Sequence, residues 1–101
     1  MTESQFQQKV IQFLKSIGAY EVKVWGGGFQ KAGIPDLLVC YHGKFIGIEL
    51  KTDKGNASVL QKYNIAKIQE AEGIGIVLRP KTFQKFKREI LREDIKQDEY
   101  E

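Results

Sequence analysis

Apolar residues recur near the start of the chain at Phe6, Val10, Phe13, Leu14 and Ile17, the three-and-four spacing of one helix face. Thr2 and Gln5 stand in the S/T-x-x-E/Q arrangement that closes a helix N-terminus, and Gly18 is a natural stop. The prediction is an amphipathic helix. From Tyr20 the period changes to two: Tyr20, Val22 and Val24 alternate with Glu21 and Lys23, a half-exposed strand that breaks at Gly26-Gly27-Gly28. That glycine run has neither the spacing nor the following helix of a phosphate-cradling loop, and reads as a flexible connection. Lys31 and Gly33 lead to Pro35, whose missing N–H suits a strand start or edge. Two apolar runs follow, Leu37–Tyr41 and Phe45–Leu50, separated by His42-Gly43, and read as a β-hairpin. The first run is continuously apolar, as expected for a central strand buried on both faces.

After the polar loop Thr52–Asn56, Ser58 with Gln61 opens a second helix that runs to Ala71 and stops before Gly73. Ile74–Leu78 reads as a further buried strand, closed by Arg79-Pro80, and a third helix after Thr82 turns Phe83, Phe86 and Ile90 inward. Beyond Glu93 the chain is charged and expected to fray. The order α-β-β-β-α-β-α predicts an α/β fold, a small mixed β-sheet flanked by helices. The helix between the third and fourth strands makes that pair parallel. The chain divides into one domain over 1–92 and an acidic tail over 93–101.

Composition adds bounds to this picture. Hydrophobic content of 42% and charged content of 29% suit a globular domain. No apolar run approaches the ~18 residues of a membrane span, and the start of the chain lacks the apolar core of a signal peptide, so an intracellular protein is expected. The single cysteine, Cys40, cannot pair internally and is expected to be a buried structural thiol, and with one histidine a Cys/His zinc site is excluded. The net charge of +3 is uneven. Residues 93–101 hold five acids and one base, leaving 15 bases and 8 acids over 1–92. A basic body fits a polyanionic partner.

The hairpin carries the chemistry. With the turn at His42-Gly43, Tyr41 faces Lys44 and the same register sets Asp36 opposite Glu49. Directly opposed like charges destabilise a sheet, so a cation between them is the natural explanation. Strand alternation puts Lys51 on the face of Glu49; a plain salt bridge from Lys51 to either acid is the alternative. Gln61 shares a helix face with Ile65 and Ile68, and either caps its own helix or serves the site. Glu3, in the first turn of the first helix, either points at the sheet or answers the helix dipole.

Pro35-Asp36 followed by Glu49-Leu50-Lys51 resembles the PD-(D/E)xK nuclease motif. With Lys31-Ala32-Gly33-Ile34-Pro35-Asp36-Leu37-Leu38 before it, and Gly55, Ser58 and Gln61 after it, the pattern resembles the virus-type replication-repair nuclease family, VRR-NUC, from about Glu3 to Arg79. The resemblance implies a restriction-endonuclease-like and Holliday-junction-resolvase-like fold. It further implies that Asp36, Glu49 and the carbonyl of Leu50 bind metal, that Lys51 orients the attacking water, and that Glu3 and Gln61 complete the catalytic set. Oxygen ligands favour Mg²⁺ or Mn²⁺ over zinc. The expected activity is metal-dependent, structure-selective cleavage of DNA, with four-way junctions or other branched DNA as substrate, by a homodimer in a bacterial or phage-infected cell. Lys23, Lys31, Lys54 and Lys62 flank the site and are candidates for phosphate contacts, or else solvated lysines. No residue announces base-specific readout. The alternative is a catalytically silent nucleic-acid-binding module that kept the fold; a restriction-type enzyme lacks room for a recognition domain.

Overall fold

The computed structural model describes residues 1–25 and 32–101. Helix α1 (Glu3–Ser16) leads into strands β1 (Tyr20–Lys23), β2 (Leu37–Tyr41) and β3 (Lys44–Leu50), helix α2 (Val59–Glu70), strand β4 (Ile74–Leu78) and helix α3 (Phe83–Leu91), with short 3-10 turns at Pro80–Thr82 and Gln97–Glu99. Thr2 and Ser58 cap α1 and α2 with reciprocal boxes closed by Gln5 and Gln61. These are the signals the sequence displays.

The sheet has the order β1-β2-β3-β4, with β1-β2 and β2-β3 antiparallel and β3-β4 parallel. His42 (φ 50°) and Gly43 (φ 79°) form the hairpin turn, both left-handed as a type I′ turn requires. One sheet face carries Leu37, Val39, Tyr41, Ile46, Ile48, Leu50, Ile76 and Leu78 into a core with Phe6, Val10 and Leu14 of α1 and Phe83, Phe86 and Ile90 of α3. Phe83 meets Phe6 edge to face at 5.6 Å. Full burial of such side chains contributes roughly 1.5–3 kcal/mol each, and this face is the main source of stability.

The second face carries α2, which lies on β3 and β4 alone because the sheet beneath it is glycine. Gly47 and Gly75 are register partners. A Cβ on Gly75 would meet the Ile65 carbonyl oxygen at 2.7 Å, and one on Gly47 the Ile68 Cδ1 at 2.5 Å. The helix backbone therefore comes down close to β4, and the Ile68 side chain fills the space over Gly47 of β3.

Three expectations need correction. Strand β2 is buried on one face only: Cys40 is exposed. Among the described residues one helix, α2, lies on the second face, and it packs on β4 and β3. Tyr20, Cys40 and Phe45 form a row across three strands on that open side, and Tyr20 is 72% exposed. For the same reason the alternation in β1 runs opposite to a half-buried strand, with Tyr20 and Val22 outward and Glu21 held by Lys15 at 2.7 Å. The segment after Glu93 is not frayed. Tyr100 is buried against Phe86, its hydroxyl donates to Glu89 Oε1 at 2.9 Å, and Gln97 Oε1 accepts from the Gly75 N–H. One aromatic residue among the tail's acids anchors it.

Candidate active site

The register that sets Tyr41 against Lys44 and Leu37 against Ile48 brings Asp36 opposite Glu49, one step beyond the last paired residue of β2. Asp36 is fixed on both sides: its carbonyl accepts from the Val24 N–H at 2.8 Å, and its Oδ2 accepts from the Leu50 N–H at 2.9 Å. In a strand the N–H and C=O of one residue leave on the same edge. The Leu50 carbonyl therefore also faces Asp36, while the Lys51 N–H turns the other way, to Leu78 of β4.

Glu49 is 2% exposed. Its Oε2 accepts from Gln61 Nε2 at 2.9 Å and pairs with Lys51 Nζ at 3.6 Å. Its Oε1 is buried and, among the described residues, has no hydrogen-bond partner. Burial pushes the Glu49 carboxyl up to about 8, the neighbouring Asp36 carboxylate pushes in the same direction, and Lys51 opposes them. Either a proton shared with Asp36 or a cation satisfies Oε1. Two facing carboxylates and a strand carbonyl on the same edge are the hard oxygen donors that Mg²⁺ or Mn²⁺ takes, the rest of its shell being water. Among the described residues no group of three or more His, Cys, Asp or Glu comes together. The donor set thus fits a water-rich divalent ion and not a fully protein-ligated one.

Gln61 caps its own helix and also reaches Glu49. Its Oε1 accepts from the Ser58 N–H at 2.8 Å, closing the cap, while its Nε2 donates to Glu49. The capping geometry fixes the amide so that its donor end points into the site.

Asn64 and Arg79 organise the surroundings, and the sequence pattern does not reveal them. Asn64 is buried on α2 and donates to the Ala32 carbonyl at 3.3 Å. Gly33 (φ 82°) fits beneath it, where a Cβ would lie 2.8 Å from Asn64 Nδ2. The chain entering Asp36 is thereby held on α2. Arg79, 8% exposed, donates to the carbonyls of Thr52, at 2.7 Å, and Gly55, tying down the loop that follows Lys51. A Gln/Asn-rich helix gives no periodic cue to Asn64, and Arg79-Pro80 reads as a strand terminator. The pairing of each with a distant backbone carbonyl becomes visible only in the fold.

Of the other predicted positions, Lys54 and Lys62 are exposed beside the loop and the start of α2. Lys23 lies opposite Leu37 in the β1-β2 register, so strand alternation sets it on the α1 side of the sheet, and its Nζ rests 4.9 Å over the Trp25 ring. Glu3 is exposed in the first turn of α1 and, among the described residues, makes no ion pair. Lys31 lies outside the described residues.

No family model matches the sequence, and no curated protein does. Among solved structures, the chain is similar to Hjc, a Holliday junction resolvase from the hyperthermophilic archaeon Archaeoglobus fulgidus, with a TM-score of 0.55 and 18% identity over 76% of this chain and 69% of that one. At that identity the likeness is one of fold: the small mixed sheet flanked by helices is the architecture of that resolvase.

Proposed function

We propose that the protein is a metal-dependent endonuclease of the PD-(D/E)xK type, in the VRR-NUC pattern, acting on branched DNA. The observation that carries this reading is the buried Glu49 carboxylate, opposite Asp36 and within ion-pair distance of Lys51, with one oxygen unpartnered among the described residues. A pair so arranged costs stability and is explained by a cation. Asp36, Glu49 and the Leu50 carbonyl would hold Mg²⁺ or Mn²⁺, which when bound lowers the pKa of a coordinated water and neutralises phosphate oxygens. Lys51, with its side chain 19% exposed, reaches the solvent side and offers a compact positive charge to the attacking water and the phosphate. Gln61 holds Glu49 through Oε2 and leaves the buried Oε1 for the cation. Lys54 and Lys62, exposed beside the loop after Lys51 and at the start of α2, would contact phosphates of the bound strand.

A four-way junction needs two cuts related by symmetry. A second copy docked on the open face of β1 and β2 would supply the second site, since Tyr20, Val22, Cys40 and Phe45 form an apolar patch across one side of the sheet and one self-complementary patch suffices for a two-fold dimer. Light scattering reads the mass directly. Cleavage of labelled four-way junction, flap and linear duplex, in Mg²⁺ and in EDTA, tests the function. Paired nicks in the junction support the reading. Flap cutting alone keeps the nuclease and discards the junction, and binding without cutting in Mg²⁺ returns the chain to a silent DNA-binding module. Among the described residues no helix is long and apolar enough to cross a membrane.

A further inference from the structure

The loop that follows Lys51 opens onto a cavity of about 680 Å³ between α2 and β4, lined by Lys54, Lys62, Arg79 and Lys81. Lys54, Lys62 and Lys81 are exposed and, among the described residues, none pairs with a carboxylate. Arg79 is buried at the edge of the cavity. Its Nη1 donates to the carbonyls of Thr52 and Gly55 and its Nε to the main-chain oxygen of Glu101. All three acceptors are main-chain oxygens. Two acids share the lining: Asp53, which accepts from the Lys81 N–H at 3.0 Å, and Glu101. Four cations against two acids leave the cavity with a surplus of positive charge.

The cavity is joined to the carboxylate site by two links. Gly55, on its wall, packs on the Lys51 stem, where a Cβ would sit 3.6 Å from Lys51 Cδ. Lys62 follows Gln61, the residue that holds Glu49. We infer that this cavity is a phosphate subsite for the nucleic-acid backbone, taking a phosphate displaced along the strand from the one cleaved, with Arg79 at its base and Lys62 and Lys81 at its rim. The inference rests on the nuclease reading above and extends it to residues, Arg79 and Lys81, that lie outside the motif. Filling the cavity would also press on the loop Arg79 holds, linking substrate binding to the placement of Lys51.

The test is binding of a labelled duplex in EDTA, followed by fluorescence anisotropy over a range of salt, for wild type, Lys62→Ala, Lys81→Ala and the double variant. Both lysines are exposed, so folding is not at stake. Loss of each contact lowers the slope of log K against log salt by about 0.9. Lys9→Ala, on the exposed side of α1, serves as control and leaves the slope unchanged. Equal slopes for wild type and the double variant, or no binding by wild type, overturn the subsite. Inorganic phosphate that raises the melting temperature through Lys62 and Lys81 while the duplex slopes stay equal shows a site for the free anion and likewise overturns it. Because binding is read without metal, a wild type that binds with the expected slope yet cuts nothing in Mg²⁺ defeats the nuclease reading and leaves the subsite. A wild type that cuts while the double variant binds normally does the reverse.

Discussion

Replacing Glu49 by Gln separates what the residue does for the fold from what it does for the site. The Glu49 carboxyl stands near 8 in the metal-free protein, against an ordinary 4.5. Its folded value is raised, so the stability it confers is fully present below about pH 4.5 and is lost as the pH rises toward 8. At pH 8 the unfolded chain gains about 4 kcal/mol by ionising this one group. Gln keeps the shape and removes the charge, at an amide-burial cost of roughly 1–3 kcal/mol. Glu49→Gln is therefore expected to stabilise the metal-free fold at pH 8 by about 1–3 kcal/mol, raising its melting temperature by about 5 °C or more for a domain of this size. The advantage should shrink as the pH falls and reverse by pH 4.5, where the carboxyl no longer costs stability and only the amide-burial cost remains. Divalent metal offsets that advantage: Mg²⁺ at a hundred times its Kd adds about 2.7 kcal/mol to wild type and nothing to the variant. Calorimetry at pH 5 and 8, in EDTA and in Mg²⁺, gives all four numbers. A variant less stable than wild type at pH 8 in EDTA, or one stabilised by Mg²⁺ as much as wild type, refutes the reasoning.

Gly75→Ala puts a methyl against the Ile65 carbonyl, a backbone atom that cannot yield; it should cost about 1–3 kcal/mol in urea unfolding and lower cleavage by lifting α2 and Gln61 from Glu49. Tyr100→Ala should destabilise by about 3 kcal/mol or more, a value that a loose tail would not give. Glu3→Ala should leave cleavage within about tenfold of wild type, a change of about 1.4 kcal/mol in the barrier, because Glu3 is exposed and free of ion pairs among the described residues.

Much of the architecture is legible in the chain because its cues are local. Capping boxes at Thr2 and Ser58, a two-residue turn at His42-Gly43 and a change of period at Tyr20 set the elements, and the turn alone fixes the register that opposes Asp36 and Glu49. What stays hidden is which sheet face each apolar residue meets. Cys40 and Tyr20 look like core until one counts the helices available to cover them, and Tyr100 looks like part of a solvated tail until Phe86 and Glu89 are seen beside it. Asn64 and Arg79 escape for a related reason: their acceptors are carbonyls more than twenty residues away, and a carbonyl has no sequence signature.

The most direct test of the central claim is cleavage of a labelled four-way junction by wild type, Asp36→Ala and Lys51→Ala in Mg²⁺, with circular dichroism on the same samples. The site described here predicts cutting by wild type that EDTA stops, and none by either variant, with all three folded. Cutting by both folded variants at the wild-type rate would contradict it.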